Sequence, residues 1–223
     1  MEINDICEQE RVNNIFIPLR EKYPEIKEKI EQIEFLFKNS CYNKNQMILE
    51  LKRLNQGFEF PNKQFSFEIK IPLTIWSDII GFEFQSCLYN IIRTINYMII
   101  FNLNQIENLT LKDYPSIGKY QRENYSPHKL YSFFKENYES WIKELSRIRN
   151  EFTHEVLVKK FGGWLEMKQK VSKEGIENEG KITPFCEEYG CMDFETFLEE
   201  KINLLEESVK EFFKKFEDIK NEN

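Results

Sequence analysis

The chain has 223 residues, 41% of them hydrophobic and 31% charged, with a net charge of −7. That length suits one decorated domain, or at most two small ones, and is taken as one domain over residues 1–223; the apolar fraction argues against a disordered chain. Its 8 glycines form neither G-x-G-x-x-G nor G-x-x-x-x-G-K-[ST], and its 2 histidines cannot build a His-rich zinc site, which argues against dinucleotide, P-loop and zinc chemistry.

The 5 cysteines are odd in number and scattered, a pattern that fits a reducing compartment better than a disulfide framework. Cys186 and Cys191 lack a second Cys or His pair and read as structural thiols. The opening MEINDICEQE is acidic and has no apolar core, so no secretory signal is expected. The most apolar stretch, Leu88 to Leu103, is interrupted by Asn90, Arg93, Thr94, Asn96 and Asn102. A bilayer span needs about 20 mostly apolar residues, so this stretch reads as a buried helix. The expectation is a soluble, cytoplasmic protein without membrane contact, cofactor or metal.

In chain order, Pro24 opens a helical run with Ile26, Ile30, Ile33 and Phe37 at helix spacing. A turn over Cys41–Asn45 precedes a second short helix with Met47, Leu51 and Leu54 on one face. Phe58, Phe60, Phe65, Phe67, Ile69 and Ile71 then alternate at period two around Pro61-Asn62-Lys63, which predicts a β-hairpin and completes an N-terminal region, 1–73. Thr74 or Ser77 can cap a long central helix reaching about Asn104, apolar almost all round (Ile75, Ile79, Phe82, Leu88, Ile91, Ile95, Met98). A turn-rich connection holds Asp113, Pro115, Gly118 and Asn124.

Ser126-Pro127 is a strong helix start, followed by the stripe Leu130, Phe134, Tyr138, Trp141, Leu145, Ile148 and Phe152 up to about His154. Residues 74–155 thus form a core helical hairpin. In the insertion 156–192, Val156 to Val171 reads as a second hairpin with Gly162-Gly163 in its middle, or with Trp164 to Lys170 as a helical turn, and Lys173 to Gly190 as loop. Asp193 caps a last helix, 193–223, through Phe194, Leu198, Ile202, Leu205, Val209, Phe212, Phe213 and Phe216. The charges from Glu199 to Glu222 are its solvated face. The predicted fold class is all-α: a bundle of about five helices with one or two small β-hairpin or loop insertions.

One polar cluster stands apart. In Arg147-Ile148-Arg149-Asn150-Glu151-Phe152-Thr153-His154, Asn150 and His154 lie one helical turn apart on one face. Arg149 sits about 140° away around the axis, within the sweep of its long side chain. Ser126-Pro127-His128-Lys129 matches S-x-x-K, but its companion motifs are absent and capping already accounts for Ser126.

Arg149-Asn150-x-x-x-His154 resembles the R-N-x-x-x-H signature of the HEPN superfamily (higher eukaryotes and prokaryotes nucleotide-binding). It also lies where that family carries it, late in a long helix of an all-α bundle. The resemblance covers about Thr74 to Glu155, with Asp193 to Lys220 as a further bundle helix. It implies a metal-independent endoribonuclease of toxin–antitoxin, phage-defence or CRISPR-associated type, with its site formed across a homodimer. An antitoxin or nucleotidyltransferase partner goes with that reading. Some relatives keep the bundle and only bind a nucleotide or a partner protein, which is the alternative function.

The residue types suit RNA cleavage by internal transphosphorylation independently of any family. His154 can act as acid or base near neutral pH, Arg149 offers a permanent charged fork to phosphate oxygens, and Asn150 can orient either group. One histidine is short for a two-proton reaction, and a continuous helix would put His128 about 39 Å away. A two-fold dimer bringing two copies of His154 together answers the shortage. From Pro127 to Lys170 there are nine Lys or Arg against six Glu, a window of +3 on a chain of −7. Lys143, Arg147, Lys159 and Lys160 in that window are the candidate RNA-binding cations.

Overall fold

The computed structural model describes residues 3–56, 66–73, 78–109, 116–122, 128–153, 161–172, 175–186 and 194–222. Its elements are α1 (Ile3–Lys22), a 3-10 turn (Pro24–Ile26), α2 (Lys27–Gln56), β1 (Phe67–Leu73), α3 (Asp78–Gln105) and α4 (Ile117–Arg122). Then come α5 (Tyr131–Asn137), a π turn (Tyr138–Ile142), α6 (Lys143–Thr153), β2 (Phe161–Ser172), β3 (Gly175–Cys186) and α7 (Phe194–Asn221). The architecture is a helical bundle with one small antiparallel sheet. The chain groups into two compact units.

Unit 1 comprises Met1–Tyr42, Ser86–Arg149 and Glu200–Asn223. Its core follows the apolar periodicity: Phe16, Ile30, Ile33, Phe37, Leu88, Ile91, Ile95 and Ile99 are fully buried, as are Ile202, Leu205, Val209 and Phe212 of α7. Phe101 meets Phe212, Phe213 and Phe216 edge to face, with centroids 5.5, 5.9 and 5.2 Å apart. Aromatic pairs prefer this geometry because ring edges are positive and faces negative. Helix α1 is mostly polar, and Val12, Ile15 and Phe16 are its buried apolar residues among the described side chains. It is tied to α7 by Arg11, whose Nε lies 2.5 Å from Glu206, and by Lys22, 2.6 Å from Glu217.

Unit 2 comprises Asn43–Gln85 and Asn150–Glu199. Its sheet has the order β1-β2-β3, with Phe67 opposite Gln169, Leu73 opposite Gly163, Phe161 opposite Cys186 and Ser172 opposite Gly175. Pro72 and Pro184 sit in the two outer strands, where a missing N–H costs no ladder bond to a second neighbour; central β2 has no proline. Gly175, at φ +143°, adopts a backbone conformation that favours glycine. In the unit's helical part, Phe84 and Phe194 stack 4.2 Å apart, and Met47, Ile48, Leu51, Ile80 and Leu198 are buried.

Several expectations are corrected. Cys41–Asn45 is not a turn: α2 runs straight through it, and Cys41, Asn43, Lys44 and Asn45 are all buried. Asn43 donates to Glu83 at 2.7 Å and Lys44 pairs with Glu199, so tertiary partners satisfy polar groups whose sequence suggested solvent. The alternating residues 67–73 form a strand, but its partner is β2. Gly162 and Gly163 lie inside β2 rather than at a turn; the chain reverses between Ser172 and Gly175 instead.

The segment expected to be loop from Lys173 contains β3, an outer strand whose pairing comes from backbone register and whose Ile176 is exposed. The connection after α3 contains helix α4, held by buried Ile117 and Tyr120. Phe82 does not join the apolar wrap of α3, being 64% exposed. Thr74, Ser77, Ser126, Pro127, Asp193, Cys191 and the stretch 57–65 lie outside the described residues.

Candidate functional site

Four of the candidate residues, Lys143, Arg147, Arg149 and Asn150, sit on one continuous helical rod. α5 passes through the π turn Tyr138–Ile142 into α6, with the Lys143 N–H donating to the Tyr138 carbonyl five residues back. A turn closed this way accommodates one extra residue and rotates the downstream helix about the axis. Asn137 fixes it: Nδ2 donates to the Phe133 carbonyl at 2.9 Å, while Oδ1 accepts from Trp141 Nε1 at 3.1 Å and from Ser208 Oγ at 2.5 Å. The widened turn is therefore pinned to α7.

Within it Trp141 and Ile142 are buried, and downstream Leu145 and Ile148; Trp141, Leu145 and Ile148 are those the spacing predicts. Lys143, Arg147 and Asn150 succeed one another at i, i+4 and i+7 along the exposed side of α6. Arg149 lies a further step around the helix, half-buried beside Ile148. The start of α6 is tied to α7 through buried Lys201, whose Nζ lies 3.8 Å from Glu144 and 2.8 Å from Glu200.

Of the sequence-predicted site, Arg149 and Asn150 adjoin in the last turns of α6, with Arg147 and Lys143 on the same helix. Arg149 closes a segment of unit 1 and Asn150 opens one of unit 2. His154, Lys159 and Lys160 lie outside the described residues. His128 occupies the turn before α5, half-buried, with its ring 6.2 Å from that of Tyr120. The eighteen residue steps from Tyr131 to Arg149 span about 27 Å of helix, which separates His128 from the arginine.

The π turn, the Asn137–Ser208 bond and the buried Lys201 were not legible in the sequence. No local signal marks a widened turn, and a lysine amid charged neighbours reads as solvated. Among the described residues, no three His, Cys, Asp or Glu converge as a metal site, and no helix is long and apolar enough to cross a membrane. No family model, no curated protein and no solved structure matches this chain.

Proposed function

We propose that this chain is a metal-independent endoribonuclease of the HEPN type, acting in a toxin or phage-defence setting. The carrying observation is that Arg149 and Asn150 share the last turns of a helix that stays regular to Thr153, one residue before His154. The mechanism requires His154, four residues after Asn150 in the sequence, to act with them. Exposed Arg147 and Lys143 extend positive charge along the same rod, as a polyanion requires. π turns are often found at functional sites, and one lies immediately upstream.

In this mechanism His154 takes the proton from a ribose 2′-OH, or delivers one to the departing 5′-oxygen. Arg149 stabilises the charge that accumulates on phosphorus oxygens between those events. Two chains related by a two-fold axis would supply two imidazoles, one for each proton transfer. The distance of His128 from Arg149 supports recruiting a second chain rather than the second histidine.

The test is incubation of the purified protein with RNA in EDTA. Cleavage leaving 2′,3′-cyclic phosphate and 5′-OH ends is expected, reduced about 100-fold or more in His154→Ala and Arg149→Ala. Absent cleavage, cleavage unaffected by His154→Ala, or full activity from a strict monomer each refutes the proposal.

A further inference from the structure

A second feature lies within unit 1, near the start of the rod and away from Arg149. A cavity of about 530 Å³ opens where α3 and α7 end and the 3-10 turn passes. That volume falls in the range that encloses a drug-sized ligand. Phe216 and Ile26, 7% and 8% exposed, give it an apolar lining with half-buried Ile106 and Ile219. Phe216 is buttressed from behind by Tyr23, with rings 5.7 Å apart, and by Phe101, so this wall is rigid.

The other five lining residues, Glu25, Gln105, Asn108, Lys129 and Lys220, are polar. Gln105 and Asn108 contribute primary amides, the latter from a residue at φ +52° where the chain turns out of α3. The turn is held by the Leu109 N–H donating to the Leu103 carbonyl at 2.8 Å. Glu25 and Lys220 are paired with each other, and the hydrogen bond from Lys220 holds the Glu25 carboxyl below its ordinary range. Their charges therefore offset one another.

Lys129 differs. Its backbone N–H donates to Glu107 at 2.8 Å, yet its exposed ammonium has no ion-pair partner among the described residues. One turn below Gln105 and Ile106, on the same face of α3, Asn102 is fully buried with no hydrogen-bond partner for its amide among the described residues. Buried polar groups are nearly always satisfied, so an unpartnered amide just beneath the lining calls for a polar partner such as water or ligand.

We propose that this cavity binds a small organic anion, with its flat or branched apolar body against Ile26, Ile106, Phe216 and Ile219 and its acidic head at Lys129. The site is independent of the RNA-cleavage reading, since about 27 Å of helix separates Tyr131, at the near end of the rod, from Arg149.

Fluorescence titration tests it with two probes sharing one aromatic body. Anilinonaphthalene sulfonate carries the anionic head; N-phenyl-1-naphthylamine lacks it. The sulfonate should bind one saturable site and weaken about tenfold in Lys129→Glu, while the neutral probe binds both proteins equally. Ile219→Trp, which fills the cavity from a half-buried position, should abolish both, with the circular-dichroism melt reporting an intact fold. Sulfonate binding unchanged in Lys129→Glu, loss of both probes in that variant, or survival of either in a folded Ile219→Trp protein overturns the proposal.

Discussion

The two compact units differ in what holds them. Unit 1 is an aromatic interior: Phe212 is fully buried and approaches Phe101, Phe133, Phe134 and Phe213 at 5.2 to 6.3 Å. Unit 2, among the described residues, couples a smaller buried apolar set to directional bonds, namely the three-stranded ladder, the Asn43–Glu83 bond and the Lys44–Glu199 pair. Dispersion and apolar burial tolerate small displacements, whereas a buried ammonium or amide needs its partner in place. Damage should therefore scale with lost volume in unit 1 and with lost partners in unit 2.

The largest expected effect is in unit 1. Phe212→Ala removes a ring with no room to collapse and should cost about 3–5 kcal/mol, read from the urea midpoint. A loss below about 1 kcal/mol would show that the aromatic cluster is not the core of that unit.

Unit 2 should show an asymmetry instead. Lys44 is 6% exposed and Glu199 42% exposed. Glu199→Ala removes the carboxylate that the buried ammonium meets and should cost about 2–3 kcal/mol, while Lys44→Met keeps the volume, removes the charge and should cost under about 1.5 kcal/mol. Equal costs would mean the pair acts by packing alone.

The smallest effect is acid sensitivity at the surface of unit 1. Burial raises the Glu206 carboxyl, but hydrogen bonds from Lys210 and Arg11 outweigh it and leave it below its ordinary range. Glu217 is lowered in the same direction by Lys22. A carboxylate depressed in the folded state contributes stability at neutral pH. That contribution fades as pH falls below the ordinary carboxylate value towards the folded one. Arg11→Ala should cost about 1 kcal/mol at pH 7 and flatten the fall in urea midpoint between about pH 5 and 3. An unchanged slope would remove Glu206 from the account.

Much of the bundle was legible. Every apolar residue read onto α7, from Phe194 to Phe216, is buried, because a helix packed on one side repeats its burial at the period of its backbone. The stripe of the rod was legible from Leu130 to Ile148 for the same reason, although the π turn inside it was not. Of the candidate site, the spacing of Arg149 and Asn150 and their setting late in a helix could be read directly. The half-burial of Arg149 depends on neighbours that no local pattern names.

The sheet marks where local reading ends. Residues 67–73 carried their alternation openly, yet an alternating strand does not name its partner, and β2 lies some ninety residues on. Glycines suggested a turn at 162–163 because they permit one, but permission is not requirement; inside β2 they pair with Phe185 and Pro184.

By itself, then, the amino-acid order determined the helical class, the buried faces and the Arg149-Asn150 spacing, all set by contacts within a few turns of backbone. Tertiary structure alone decided that α2 continues through Cys41–Asn45, that β1 joins β2, and that Lys44 and Lys201 go inside. Each of these depends on a partner more than fifty residues away: Glu199 for Lys44, Glu144 for Lys201, Met167 for Ile69. The free energy of burying a polar group is set by the partner that meets it, and local sequence carries no record of that partner.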